Sequence, residues 1–580
     1  MKHIFLPIFL LLVFSACAQQ PEGRDILDAS RLKFLTSKAE GSQVEVTKEN
    51  ETNVVRFITE TQPKFIYNYA TSLPLQKEKL NEGDVVLLSF EAITEKSSEE
   101  TGEAKLLIQL KQSGSFKQNL DRTLNIGSVW KRYFIPFQTT QSISPKNLGV
   151  MLQYGFEPQT IALKNISFQV YPRGTLLQDL PKTEVTYQGM EPDAQWRKDA
   201  LARIEQIRKG DFQIEVTQDG KPVPNAQIEV ELKRHYFPFG VAMDAEEILN
   251  NKDKYNRFKE AFGLTVLAND LKIKRWSRKE NRATTLKALD KLKADGISVK
   301  GHVLIWPGFQ YNPASIKKLK NDPVKLEKAI KSHVYNILDA TEGKVTHWDV
   351  ANETYTNKDF QNILGSEELL YDGFRILRNR QPNVSRFTNE YGIISKGGID
   401  TQKQQWYYDY IKRVDTNTNG AVQGIGIQSH MGTDLTPPEK VLSLLSYYAS
   451  LGKRISISEF TMDETDPKIR EQYTRDFMIA TFSHPNVSEF LFWGFQDDDG
   501  RGKVDIYEAD ESIGEMGKAY FSLVNGDWKT TLSRKLNEQG AISDRGFYGL
   551  YTYKVLVDGV EKTGSFEVVP NASNQIQIQL

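Results

Sequence analysis

The chain has 580 residues, with 74 basic and 75 acidic side chains that nearly cancel to a formal net charge of −1. That length exceeds what one compact core needs and points to three or more domains, while the balanced charge leaves no electrostatic footprint for nucleic acid. Aromatic residues make up 11%, ample for stacking on sugars, although aromatic rings fill cores first.

At the N-terminus Lys2 and His3 precede an apolar run over 4–14, far too short to cross a bilayer as a helix. The run ends in Phe14-Ser15-Ala16-Cys17, and Cys17 is the only cysteine of the chain. Residues 1–16 resemble a bacterial lipoprotein signal peptide. The resemblance implies lipidation of Cys17 and attachment to a membrane, expected to be the outer one, with the periplasmic or the cell-surface face left open. Ordinary cleavage after Ala16-Cys17-Ala18 is the alternative and would discard the cysteine. Either route predicts an exported protein with no internal disulfide.

Residues 25–175 read as all-β. Short alternating runs over 54–58, 85–90, 104–110, 133–137, 148–152 and 161–171 are separated by polar, Gly- or Pro-containing turns, which predicts a β-sandwich. The succession Gly83-Asp84-Val85-Val86-Leu87, Trp130-Lys131-Arg132-Tyr133 and Ile161-Ala162-Leu163-Lys164-Asn165-Ile166 resembles the carbohydrate-binding-module sandwiches found beside xylanases. Tyr67, Tyr69, Trp130 and Tyr154 are candidates to line a sugar groove, and strand aromatics serve equally as core. Residues 176–235 read as a linker, helix and β-hairpin adaptor. Asp193 is expected to cap a helix reaching about Arg208, with Ala194, Ala200, Leu201, Ile204 and Ile207 on its apolar stripe. The hairpin is expected to pair 212–216 with 226–232 around Asp219-Gly220.

Residues 236–525 alternate apolar runs with amphipathic helical stretches. The runs cover 237–243, 264–269, 299–306, 345–353, 386–391, 422–430, 454–460 and 489–495, with helical patterns such as 252–262, 284–294 and 325–340 between them. Eight β-α repeats over this length predict a (β/α)8 TIM barrel. Strand after strand ends in a polar or aromatic group: Asn269, His302 with Trp306, Asn352-Glu353, Asn389, Gln428 with His430, Glu459 and Trp493. Active sites of such barrels are built at the C-terminal ends of the strands, so these residues are expected to share one pocket. Glu353 on the fourth strand and Glu459 on the seventh then face each other across the barrel mouth. Two carboxylates flanking a glycosidic bond hydrolyse it with retention when about 5–5.5 Å apart and with inversion at about 6.5–9.5 Å; both outcomes stay open on sequence alone.

The ordered motifs Gly301-His302…Trp306, Trp348-Asp349-Val350-Ala351-Asn352-Glu353, Gly424-Ile425-Gly426-Ile427-Gln428-Ser429-His430, Ser458-Glu459 and Trp493-Gly494 are similar to those of glycoside hydrolase family 10, the retaining endo-β-1,4-xylanases. The resemblance implies Glu353 as general acid/base and Glu459 as nucleophile oriented by His430. It implies that Asn352 bonds the sugar 2-hydroxyl, that Asn269, Lys272 and His302 grip the sugar before the cleavage point, and that Trp306 and Trp493 wall it. Asn389 and Gln428 join the substrate-binding set. The chemistry needs no metal or cofactor, and the implied partner is a xylan-like polysaccharide.

Departures fall among the sugar-recognition neighbours. Ala268 stands where the family carries a carboxylate, Pro307-Gly308-Phe309 follows Trp306, Thr461 replaces an Asp that helps hold the histidine, and Asp498-Asp499-Gly500 offers no second tryptophan. Another β-linked plant or algal glycan is therefore an alternative substrate, and a non-catalytic glycan-binding protein on a degenerate barrel is an alternative of another class. Residues 527–580 read as a small C-terminal β domain built from 546–555, the turn Asp558-Gly559, 563–568 and 575–580.

Overall fold

The structure, a computed structural model, describes residues 22–580 apart from 38, 100, 112–117, 147, 465, 498–502 and 558. The lipidation site expected at Cys17, the Asp498-Asp499-Gly500 motif and the turn residue Asp558 lie outside the described residues. Among the described residues the chain divides into two compact units, one holding 22–99 and 104–184 and the other 101–103 and 185–580.

The first unit is a β-sandwich. One sheet runs Ser42–Glu49, Thr52–Thr59, Gln159–Tyr171, Val85–Ser97 and Lys131–Gln138, and Arg24–Asp25 also pairs with Gln159–Tyr171. The facing sheet runs Ala70–Leu73, Val150–Gln153, Ala104–Lys111 and Gln118–Ile126. Alternation along the strands sends Val55, Phe57, Leu88, Phe90, Leu106, Ile108 and Phe168 into one core, as a half-buried pleated surface requires. Of the four aromatics that are candidates for a sugar groove or for the core, Tyr69 and Tyr154 belong to the core. The Tyr154 hydroxyl is 2.9 Å from Ser42 Oγ, and the Tyr69 hydroxyl donates to the Glu40 carbonyl. Tyr67 and Trp130 are exposed.

In the second unit eight parallel strands close into a barrel: β1 (Phe239–Met243), β2 (Leu264–Leu267), β3 (Ser298–Ile305), β4 (His347–Asn352), β5 (Ser385–Glu390), β6 (Gly424–Ile427), β7 (Arg454–Met462) and β8 (Val487–Phe492). Neighbours pair in chain order, and β8 pairs with β1 to close the ring. Helices such as Lys252–Ala261, Lys279–Ala294 and Pro323–Ala340 return the chain between strands. Every residue of β4 is buried, as expected for a parallel strand covered on both faces. Five strands are shorter than their apolar runs, β2 and β6 among them. β2 stops at Leu267, leaving Asn269 in an exposed turn, and β6 stops at Ile427, with His430–Met431 pairing separately to Thr461 and Met462 of β7.

The adaptor and tail differ from expectation. The helix starts at Gln195, and Ala194 rather than Asp193 holds the N-cap position without a side-chain bond. Leu201 is exposed and Trp196 takes its place in the buried stripe. Arg208 follows the helix and donates to the carbonyls of Phe482, His484 and Val487, clamping it to the barrel. The expected hairpin does not form. Lys209–Gln218 turns at Asp219-Gly220 into the short strand Lys221–Pro222 and pairs with Ala541–Phe547 and Gln575–Gln579, whereas Gln227–His235 joins Thr531–Lys535 and Gly549–Val557 in another sheet. Alternation shows which face of a strand is buried but not which strand lies beside it. The adaptor strands and the tail thus build one sandwich together, with Phe212, Ile214, Ile228, Val230, Tyr551 and Val555 buried.

Candidate active site

β4 delivers Asn352 and Glu353 to the C-terminal end of the barrel, both at most 4% exposed. Glu353 leaves the strand with φ 53°, a left-handed conformation that is uncommon for a residue with a Cβ and recurs at functional sites. The turn is held by Glu353 N–H donating to the Asn389 carbonyl and Asn357 N–H donating to the Glu353 carbonyl. The Glu353 carboxylate accepts from Gln428 Nε2 at 3.2 Å and Asn357 Nδ2 at 3.3 Å.

Glu459 projects from β7 and is also buried. Its Oε1 accepts from Asn389 Nδ2 at 2.7 Å, and its Oε2 lies 3.4 Å from His430 Nε2. Burial pushes this carboxyl up, but the His430 hydrogen bond and the fields of His302, His430 and Lys272 outweigh burial and hold it below its ordinary value of 4.5. A carboxylate kept ionised this way is suited to nucleophilic attack.

Amides join the two carboxylates. Asn389 Nδ2 also donates to Asn352 Oδ1 at 2.9 Å, Ser458 Oγ donates to Asn389 Oδ1, and Gln428 Nε2 reaches Asn352 Oδ1 at 3.3 Å. With its oxygen engaged twice, Asn352 keeps Nδ2 buried and without a partner among the described residues. A buried unpaired donor is costly, so this group is ready to bond a ligand oxygen. Gly426 makes the packing possible, since a Cβ there would sit 2.4 Å from Asn389 Oδ1.

His430 is held between Thr461 Oγ1, 2.9 Å from its Nδ1, and Gln428 Oε1, 3.1 Å from its Nε2. The Thr461 hydroxyl thus fills the place where family resemblance leads one to expect a carboxylate. His302 Nδ1 lies 2.9 Å from Asp349 Oδ2 and 4.0 Å from Glu459 Oε1. Beneath it the barrel interior is charged. Lys300 Nζ lies 3.3 Å from Asp349 Oδ1, 3.2 Å from Glu489 Oε1 and 2.9 Å from Ser456 Oγ, and His347 Nε2 is 2.9 Å from Glu489 Oε2. Burial lowers the Lys300 ammonium, but Asp349 and Glu489 more than compensate and raise it; burial raises Glu489, but His347 and Lys300 bring it far below the carboxylate range.

Trp493 presents its ring to the edge of His302 with centroids 5.1 Å apart, and Lys272 Nζ lies 5.0 Å from the Trp306 ring and 5.8 Å from the Trp493 ring. Lys272 also donates to Asn269 Oδ1 at 3.1 Å, which ties the exposed Asn269 to the site. Trp306 stacks on Tyr311 at 3.5 Å, so one of its faces is already covered by protein. Sequence reasoning missed Asp349, Lys300, Glu489 and Tyr311. A lysine and two acids inside apolar strands were the available signal for the first three; Tyr311 carried none. Among the described residues no group of three or more His, Cys, Asp or Glu side chains is arranged to hold a metal ion, and no helix is long and apolar enough to cross a membrane.

A TIM barrel whose fourth and seventh strands each present a buried glutamate, linked by amides at the C-terminal face, has the donor set of a two-carboxylate glycoside hydrolase. Residues 229–503 match the family model of glycosyl hydrolase family 10, and the chain carries a domain of that family. Among curated relatives, the anti-sigma-I factor RsgI6 of Acetivibrio thermocellus is 30% identical over 402 residues, covering 67% of this chain and 49% of that protein. Endo-1,4-beta-xylanase 1 of Arabidopsis thaliana is 27% identical over 395 residues, covering 64% of this chain and 40% of that protein. The chain thus spans half or less of these relatives' length. Among solved structures, xylanase 10B of Thermotoga petrophila in complex with xylobiose has a TM-score of 0.45 at 18% identity, covering 50% of this chain and 94% of that one.

Proposed function

We propose that the barrel is a retaining endo-acting glycoside hydrolase that cleaves internal β-1,4-xylosidic bonds of a xylan-like polysaccharide by double displacement. The observation that supports it most is the pair of buried glutamates in different electrostatic settings, Glu459 beside two histidines and Glu353 hydrogen-bonded by the neutral amides of Asn357 and Gln428. Glu459 attacks the anomeric carbon while Glu353 gives its proton to the departing oxygen. Glu353, now a carboxylate, takes a proton from the water that displaces Glu459 from the glycosyl-enzyme, so the product keeps its configuration. Asn352 Nδ2 bonds the sugar 2-hydroxyl, a contact that strengthens in the oxocarbenium-like transition state. Asn269, Lys272 and His302 hold the sugar before the cleavage point, with Trp493 and the open face of Trp306 as walls.

The test is product release from a panel of xylans and other β-glycans by the wild type and by Glu353→Ala and Glu459→Ala. Release that vanishes in Glu459→Ala supports the reading, and release from another polymer alone would keep the mechanism and replace the substrate. A second reading, glycan binding without turnover, is supported by the departures at Ala268 and Thr461 among the sugar-recognition neighbours. Binding without hydrolysis across the whole panel would establish it. The reading also includes export as a lipoprotein, supported by the position of Cys17 after its apolar run. Cys17→Ala is expected to leave the membrane fraction, and a variant that stays there refutes the anchor.

A further inference from the structure

Trp493 is a wall shared by two spaces. It meets His302 and Lys272 of the candidate active site. It also lines a cavity of about 340 Å³, bounded by Ala268 after β2, Met243 and Asp244 at the end of β1, Glu247 in the helix that follows, and Asp497 after β8. The cavity falls at the small end of the range for small-molecule sites, roughly 300–1,000 Å³. Ala268 sets its depth, because this methyl packs with Trp493 over the buried Ala242, Leu264, Val266 and Leu491 and leaves open the space a longer side chain would fill. Trp493, Ala268, Asp244 and Asp497 are all only partly buried, so the cavity reaches solvent on the face where the glycan would lie.

We infer that this cavity is a specificity site that receives a single neutral sugar branch carried by the glycan bound against Trp493. The inference rests on the reading of the barrel as a glycanase and names the form of substrate it prefers. The chemistry of the lining selects the occupant. Asp244, Glu247 and Asp497 supply carboxylate oxygens that accept bonds from sugar hydroxyls, Trp493 and Met243 supply apolar surface, and 340 Å³ holds one ring rather than a chain. Two lysines also border the cavity, but Lys254 Nζ is paired with Glu247 and Lys503 lies near Asp463. The acids outnumber the lysines, which disfavours a uronic-acid branch by like-charge repulsion.

The test separates the cavity from the catalytic reading by measuring binding without turnover. Affinities of Glu459→Gln are compared for a linear β-1,4-xylo-oligosaccharide, the same backbone with one arabinofuranosyl branch, and the same backbone with one glucuronosyl branch. The neutral branch is expected to tighten binding about fivefold or more and the uronosyl branch to weaken it. Ala268→Phe, combined with Glu459→Gln, is expected to erase the gain, so that the linear and arabinosyl ligands bind alike. Equal affinities for the linear and arabinosyl ligands, or a loss in Ala268→Phe that is the same for both, overturn the cavity's role. Hydrolysis of the linear oligosaccharide by the wild type tests the catalytic reading alone.

Discussion

Asn389 Nδ2 stands 2.7 Å from Glu459 Oε1, and the same nitrogen stands 2.9 Å from Asn352 Oδ1. One amide nitrogen from β5 therefore fixes both the carboxylate proposed as nucleophile and the amide beside the carboxylate proposed as acid. Its own oxygen is pinned by Ser458 Oγ at 2.7 Å, so the group cannot flip without breaking three bonds.

Asn389→Ala is expected to lower kcat/KM on a xylan-like substrate about 10²–10³-fold, the scale of losing one preorganised polar contact to a reacting centre. The fold should survive, since the residue contributes polar contacts at the barrel mouth rather than apolar packing. Steady-state kinetics beside a melting curve would check this; activity within about threefold of wild type would refute it.

The lowered carboxyl of Glu459 sets the acid limb of activity. Attack requires the ionised form, so kcat/KM should hold as pH falls towards 4.5 and drop only below it. His430 is the main group opposing burial, so His430→Ala should move that limb to higher pH as burial takes over. A pH profile of kcat/KM measures it, and a limb that does not move contradicts the assignment.

Lys300→Met should be among the most damaging substitutions away from the proposed catalytic pair. It leaves Asp349 and Glu489 buried without their shared cation, and removing one partner of a buried ion pair costs about 3–5 kcal/mol. Chemical denaturation would show the loss at neutral pH. Because Asp349 holds His302, residual activity should also fall beyond what the folded fraction explains.

Stability should weaken in mild acid. Burial pushes the imidazoles of His235 and His333 down to about 4, from an ordinary value of 6.5. Between these values the unfolded chain binds protons that the folded one does not, so the contribution is complete above pH 6.5 and is lost as pH falls towards 4. Unfolding midpoints at pH 7.5, 6, 5 and 4 test the sign, and His333→Leu should flatten the slope.

The barrel was legible because its signal is local and repeated: apolar runs of strand length ending in Asn, Glu, Gln or Trp, separated by helices. Asn352, Glu353, Asn389, Gln428 and Glu459 meet in the structure as that pattern suggested. What escaped depended on long-range partners. Lys300 and Glu489 read as polar interruptions of apolar strands until each is placed beside the other, and Tyr311 reads as loop until it stacks on Trp306. Tyr69 and Tyr154 matched a binding groove by composition and proved to be core. The Asp219-Gly220 turn signalled a hairpin correctly at short range, yet the next long strand belongs to a different sheet.

The interleaving of Lys209–Gln218 with Gln575–Gln579, and of Gln227–His235 with Thr531–Lys535 and Gly549–Val557, has a practical consequence. The barrel is inserted between the two halves of a neighbouring fold, so neither chain end of the second unit can be trimmed back to the barrel without baring a sheet edge. A fragment ending near residue 525 would expose the backbone of Lys209–Gln218 and the buried faces of Ile214 and Val230, a ready template for intermolecular pairing. Proteolysis in the tail would therefore reach the enzyme-like core through aggregation rather than through any loss at the barrel mouth.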